Sequence, residues 1–270
     1  MLTLNPFYRA VLGEKSLSFP ASIGYLASWY SYSAIETLYQ DTAFATPVTA
    51  NSDLIGSQKD RHTTGKNLIR GGTSGTELTY NTTGINSNPS ATVDGADYLK
   101  AQNTTDLNYD YLDAYSIFAV IKPSDVSAAA ICSKRLPGPP YTGYIFSIGL
   151  RTPGVMNFVT ANSFPSNTME TNGSTVIAAG ETRAVAVTVD GSSNVAGVKL
   201  YVDNALETND VVTDLLSATT INTNPFQLCT GQGTYFYAGE LGEVLVFSKE
   251  LSTSELTSLY DFFQPTYGYL

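Results

Sequence analysis

The stretch from Tyr237 to Phe263, YAGELGEVLVFSKELSTSELTSLYDFF, most restricts what this chain can become. Alternation divides Gly239–Phe247 into one set of Leu241, Glu243, Leu245 and Phe247 and another of Glu240, Gly242, Val244 and Val246. Both sets are mostly apolar, which predicts a strand inside a sheet with material on each face. A helix signal follows at once. Ser252 stands at the N-cap with Glu255 three residues on, the spacing of a capping box, and Leu251 and Leu256 occupy the positions of a hydrophobic staple. Leu256, Leu259, Tyr260 and Phe263 recur at helical spacing, so the helix is expected to lay one apolar face on a sheet, and Pro265 is expected to end it.

The rest of the chain reads as short strands punctuated by turns. Tyr115–Pro123, Ala129–Ser133, Tyr144–Gly149, Val155–Thr160, Glu181–Val189, Val198–Asp203 and Phe226–Thr230 are predicted strands. Pro153-Gly154 and Asp190-Gly191 supply turn signals, and Asn204 tolerates positive φ. Leu136–Tyr141 is a loop stiffened by three prolines. Residues 70–95 and 161–180 are polar and rich in Gly, Asn, Ser and Thr. Both read as loop, the first with one or two short strands. The expected fold is all-β: a two-sheet antiparallel sandwich with one short C-terminal helix, filling residues 25–270. Residues 1–24 form an extended arm ahead of it. Its Phe7, Tyr8, Leu12, Leu17 and Phe19 are too apolar for a solvated tail, while Pro6, Gly13 and Pro20 break any helix. The arm is expected to dock on the domain or on a neighbouring subunit.

Composition removes several functions. Charged residues make up only 14% of the 270, and the formal net charge is −10. An acidic surface repels phosphates and anionic lipids, so neither nucleic acid nor membrane is an expected partner. The opening MLTLNPFYRAVLGEK lacks a basic stretch followed by an apolar core, so no secretory signal is expected. Tyrosine is frequent, at 18 residues, beside one Trp and one His. Surface tyrosines suit protein or sugar contact, and tyrosines are equally good strand formers. Cys132 and Cys229 make no disulfide framework and are expected to act as small buried hydrophobes.

The C-terminal pattern of Tyr237, Gly239, Glu243, Val244, Phe247, Leu251, Ser252 and Glu255 resembles the closing signature of LamG-like jelly rolls, in the concanavalin A-like lectin/glucanase superfamily. Leu38, Tyr39, Asp41, Thr46, Pro47, Val48, Thr49, Gly56 and Asp60 resemble the opening of bacterial and phage members. YSIFAVIKP at Tyr115 and VKLYVDN at Val198 are similar to strands of the same family. The resemblance implies the jelly-roll fold and directs attention to glycans. It also raises calcium, which several relatives bind with loop carboxylates.

Glycoside hydrolysis needs two carboxylates on one surface. Related glucanases carry Glu-x-Asp-x-x-Glu on one strand, and no such run occurs here. Glu240 and Glu243 are three apart, so strand parity sends them to opposite faces and no hydrolase activity is expected. His62 reads as a surface loop residue. No zinc spacing or phosphate-binding glycine loop is present. Asp53, Asp60, Asp94, Asp97, Asp106 and Asp110 are scattered oxygen donors without the fixed offsets of a calcium loop, so no cofactor is expected, calcium being the remaining option. The expected function is that of a non-enzymatic bacteriophage virion structural protein. It would be a lectin-like module decorating or cementing the capsid or attached to the tail, made in the host cytoplasm. Its expected partners are other virion proteins and copies of itself in a cyclic homo-oligomer, a trimer. The alternative is a carbohydrate-binding adhesin that uses Tyr141, Tyr144, Tyr235 and Tyr237 on host surface glycans. A glycosidase stands behind both.

Overall fold

The structure, a computed structural model, describes residues 19–62, 65–72 and 77–269. A one-turn helix, α1 (Phe19–Ser22), leads into β1 (Leu26–Ser31). The short strands β2 (Leu38–Tyr39), β3 (Leu54–Ile55), β4 (Ser57–Gln58) and β5 (Leu68–Arg70) follow. Next come β6 (Leu78–Ile85), β7 (Asn88–Asp94) and β8 (Leu99–Ala101). The long middle strands are β9 (Tyr115–Pro123), β10 (Ala129–Arg135), β11 (Gly143–Ile148), β12 (Val155–Ser163), β13 (Asn167–Val176) and β14 (Arg183–Val189). Then come β15 (Val198–Val202), β16 (Ala205–Leu206), β17 (Asp210–Asp214), β18 (Gln227–Leu228), β19 (Thr230–Gly231) and β20 (Tyr235–Phe236). The chain closes with β21 (Ala238–Phe247) and α2 (Thr253–Tyr267). Among the described residues no helix is long and apolar enough to cross a membrane.

The strands form two antiparallel sheets and a separate two-stranded ribbon, β19–β20. The first runs β16-β15-β14-β9-β21-β7-β6-β3, with β1 also paired to β21; the second runs β17-β13-β12-β11-β10-β18-β8-β5-β4-β2. A large core fills the space between them, including Ile117, Ala119, Val185 and Val244 from the first sheet and Phe146, Phe158 and Met156 from the second. Within it the rings of Tyr109 and Tyr115 stack at 4.5 Å. The free thiols of Cys132 and Cys229 are buried in this core, as expected of small hydrophobes.

The strand expected to be central is central. β21 pairs with β9 along one side, and on the other it meets β7 at Ala238–Leu241 and β1 at Glu243–Phe247. Its two faces are not those of simple alternation. The register steps from Leu241 opposite Ile121 to Glu243 opposite Val120, leaving Gly242 as a bulge. Leu241 therefore shares the core face with Val244 and Val246, while Leu245 and Phe247 turn outward toward α2.

α2 begins as its sequence dictates. The Ser252 hydroxyl caps the Glu255 N–H, and the Glu255 carboxylate accepts from the Ser252 N–H at 2.9 Å. Leu256, Leu259, Tyr260 and Phe263 pack on Phe118, Val120, Ala184 and Ala186 of the first sheet. The helix does not stop at Pro265. It continues to Tyr267 and ends at Gly268, whose φ of 65° makes the left-handed cap. Pro265 lies in the last turn, where it removes one hydrogen bond, and burial of Tyr267 holds the turn.

Two further expectations are corrected. Residues 70–95 hold a long hairpin, β6–β7, turned by Asn86 and Ser87, both at positive φ. Residues 161–180 hold β13, a ten-residue strand paired with β12 and β17. Of the arm, Phe7, Tyr8, Leu12 and Leu17 lie outside the described residues. Phe19 is not extended: it sits in α1, its ring 5.0 Å from that of Phe262, on the helix of its own domain.

Candidate functional site

Two of the four tyrosines singled out for sugar contact belong to the core. Tyr144 and Tyr237 are 1% and 0% exposed. Their hydroxyls donate to backbone carbonyls, Tyr144 to Leu107 at 2.9 Å and Tyr237 to Glu240 at 3.0 Å. Tyr144 points inward because alternate residues of β11, Tyr144, Phe146 and Ile148, face the sandwich core.

The other two, Tyr141 and Tyr235, come together. They line a cavity of about 390 Å³ on the face of the second sheet turned away from the core. Val159 from β12 and Glu170 from β13 form the sheet part of its surface, and Arg135 ends β10 beside them. Three loops supply the rim: Pro137 and Tyr141 after β10, Leu150 and Arg151 after β11, and Phe164 after β12. The β19–β20 ribbon closes the last side with Gln232, Thr234 and Tyr235.

Arginine and aromatic side chains interleave here. The Arg135 guanidinium stands 4.8 Å from the Phe164 ring centroid and 5.6 Å from that of Tyr141. Its Nε donates to the Tyr141 carbonyl at 2.7 Å. With its amide oxygen assigned toward the guanidinium, Gln232 accepts from Arg135 Nη1 at 3.3 Å. Arg151 forms a two-pronged pair with Glu170, Nε to Oε1 and Nη2 to Oε2, each 2.6 Å. Asn157 Nδ2 also donates to Glu170 Oε1, at 3.1 Å, and to Asn172 Oδ1, at 2.8 Å. Glu170 holds Arg151 further into its charged range. Burial pulls Arg135 down to about 10, which leaves it cationic at neutral pH.

Only Tyr141 and Tyr235 of this constellation were reached from sequence. Arg135, Arg151, Phe164 and Glu170 come from four separate segments. The available signal was faint: two adjacent basic residues, Lys134 and Arg135, end an otherwise uncharged strand and by parity point to opposite faces. Lys134 points inward, where its Nζ donates to the Thr104 and Asn224 carbonyls at 2.6 and 2.5 Å.

The bulge at Gly242 overturns the parity argument for the strand carboxylates. Glu240 and Glu243 share the outer face of the first sheet, because the extra residue between them restores the phase. Their surroundings differ. Glu240 lines a second cavity of about 400 Å³ and accepts from Asn81, Ser90 and Thr92. Glu243 is 1% exposed beneath α2. It accepts from Trp29 Nε1 at 2.7 Å, Ser31 at 2.9 Å, Ser33 at 3.1 Å and Tyr267 at 2.7 Å. Burial raises its carboxyl above the usual range.

His62 is exposed in its loop, as read. The scattered aspartates close loops: Asp53 accepts from the N–H groups of Thr49 and Ala50, Asp60 from Trp29 and His62, and Asp110 from Tyr111 and Thr220. Among the described residues no three His, Cys, Asp or Glu side chains gather as metal ligands.

The chain belongs to the concanavalin A-like lectin/glucanases superfamily, whose Laminin_G_3 family model matches residues 93–257. No curated protein matches the sequence. Several solved structures share the fold at low identity. The botulinum neurotoxin serotype G binding domain matches with a TM-score of 0.60 at 14% identity, over 90% of this chain and 54% of that one. The binding domain of Paraclostridial Mosquitocidal Protein 1 matches with a TM-score of 0.59 at 12% identity, over 89% and 53%. A Trypanosoma rangeli sialidase matches with a TM-score of 0.52 at 12% identity, over 90% and 33%. The chain thus spans about half the length of the two toxin domains and a third of the sialidase.

Proposed function

We propose that this chain is a non-catalytic glycan-binding module whose site is the cavity between Tyr141, Arg135 and Tyr235. The observation that carries the reading is the convergence there of half-buried aromatic side chains with fixed hydrogen-bonding groups, in a volume within the range of small-molecule sites. Aromatic surface suits the apolar faces of a sugar ring, and the polar groups suit its hydroxyls. That two similar folds are named binding domains agrees with this reading. The absence of catalysis is proposed because neither cavity is lined by two carboxylates, which glycoside hydrolysis needs. The test is a glycan array on the full chain, followed by titration of the best ligand. Tyr235→Ala should weaken binding about tenfold, some 1.4 kcal/mol. A chain that binds no glycan, or whose binding ignores both Tyr235→Ala and Tyr141→Ala, would rule this site out.

We further propose that the module serves on a bacteriophage virion, on capsid or tail, as a cyclic homo-oligomer. The resemblance of the Leu38–Asp60 segment to phage-type members supports the first part. For the second, the edge strands β16 and β17 expose Leu206, Val211 and Val212, and Leu215 follows them into solvent. Exposed apolar edges of this kind mark contact sites. Mass spectrometry of purified particles checks the location, and the chain's absence from them would end that reading. Light scattering of Val211→Lys checks the assembly: an unchanged mass would remove β17 from the interface.

A further inference from the structure

We infer that the cavity takes its glycan through a carboxylate, with Arg135 as the specificity-determining residue for an acidic sugar. The inference rests on the glycan-binding reading above and adds the class of sugar. The lining holds two guanidiniums and one carboxylate, so it is cationic within a chain of net charge −10. The single carboxylate is already committed. Both oxygens of Glu170 are bound by Arg151, and one also accepts from Asn157.

Glu170 acts on Arg135 electrostatically but does not pair with it in contact. Arg135 is 4% exposed, yet among the described residues it forms no salt bridge, and its acceptors are a backbone carbonyl and a neutral amide. Buried guanidinium groups are ordinarily paired, because removing a charge from water is costly unless an opposite charge replaces the water. Arg135 lines the cavity, and the hydrogen bonds of its guanidinium use Nε and Nη1. A carboxylate has the planar, two-oxygen geometry that a guanidinium binds bidentately. Phe164 and Tyr141, whose ring centroids lie 4.8 and 5.6 Å from the same guanidinium, flank the place where the sugar ring would lie. Arg151, though paired with Glu170, adds to the positive potential at the mouth.

Sialic acids and uronic acids both present such a carboxylate, and titration calorimetry on the full chain distinguishes them. The ligands are oligosaccharides ending in N-acetylneuraminic acid, in glucuronic acid, the carboxyl-reduced form of each, and a sulfated neutral sugar. At least one acidic ligand should bind about tenfold or more tightly than its carboxyl-reduced form, consistent with the strength of a charge-assisted contact. Arg135→Gln should abolish that preference, and Arg135→Lys should restore part of it. If Arg135→Gln fails to fold, the comparison of each acid with its reduced form in the unaltered protein decides alone. Equal binding of acid and reduced forms, with neutral glycans bound, overturns the inference and leaves the glycan reading standing. Acid preference that survives Arg135→Gln in a folded protein also overturns it, as does a sulfated sugar bound as tightly as the acids. Binding of no sugar at all ends both.

Discussion

Glu243→Gln isolates the polar cluster that joins β21, β1 and α2. The native carboxylate serves four donors: the Trp29 indole and the hydroxyls of Ser31, Ser33 and Tyr267. Gln keeps the shape and offers one oxygen. The hydroxyls can rotate to accept, but the Trp29 N–H can only donate, so the amide oxygen must face Trp29. The amide NH₂ then faces the hydroxyls, and the buried Tyr267 proton loses its acceptor. Such a group costs about 1–3 kcal/mol. At roughly 2–4 °C per kcal/mol for a domain of about this size, Tm should fall by about 2–12 °C. Glu243→Leu, of similar bulk, leaves all four donors without the carboxylate and should fall further. Calorimetry gives the order, and fluorescence of Trp29, the chain's single tryptophan, reports loss of the cluster directly. The Arg61 guanidinium over its ring, at 4.2 Å, belongs to the same unit. If the Leu variant melts at or above the Gln variant, the donors are not what keeps a carboxylate here, and burial of Glu243 is a net cost.

Three other perturbations probe separate features. Ser252→Ala removes the cap of α2 and should destabilise by about 0.5–2 kcal/mol, so an unchanged melting midpoint would contradict the capping argument. Gly239→Ala places a Cβ 2.3 Å from the Lys122 carbonyl oxygen at a φ of 135°, and denaturant titration should show a loss of at least about 1–3 kcal/mol. Gly233→Ala, with open space around its Cβ, should cost less, and equal losses would argue against the clash. Burial holds the phenols of Tyr30, Tyr115 and Tyr144 well above the ordinary 10.0. Their contribution is fully present below pH 10.0 and lost as pH rises beyond it, because the unfolded chain ionises first. Stability should therefore drop above that pH together with tyrosinate absorbance, and smooth ionisation of every tyrosine in a folded protein would refute the placement.

What was legible in the sequence had a local cause. The capping box, the staple and the 3.6-residue recurrence of α2 lie within one segment, so their physics needs no distant partner. Tyr115–Pro123 was equally plain, because a strand buried on both faces is apolar over most of its length. β13 was missed for the opposite reason. Its outward Glu170 and Asn172 are buried against Arg151 and Asn157, and such a strand shows no apolar alternation. The cavity had no local signature either. Its arginines and rings are gathered by three loops and a ribbon, and only the packing of β10 to β13 brings them within reach of one another.

The bulge at Gly242 shows why parity arguments need pairing data. Read as an unbroken strand, β21 sends Glu240 and Glu243 to opposite faces. One unpaired residue restores them to the same face, so the ground for dismissing a carboxylate pair disappears. What separates the two is their cover. α2 lies over Glu243, with Tyr267 closing the space beside Gly242, where a Cβ would come within 2.9 Å of the ring. Glu240 lies beyond that cover, in a cavity where it is the lone carboxylate. α2, rather than strand parity, gives the two carboxylates their different surroundings.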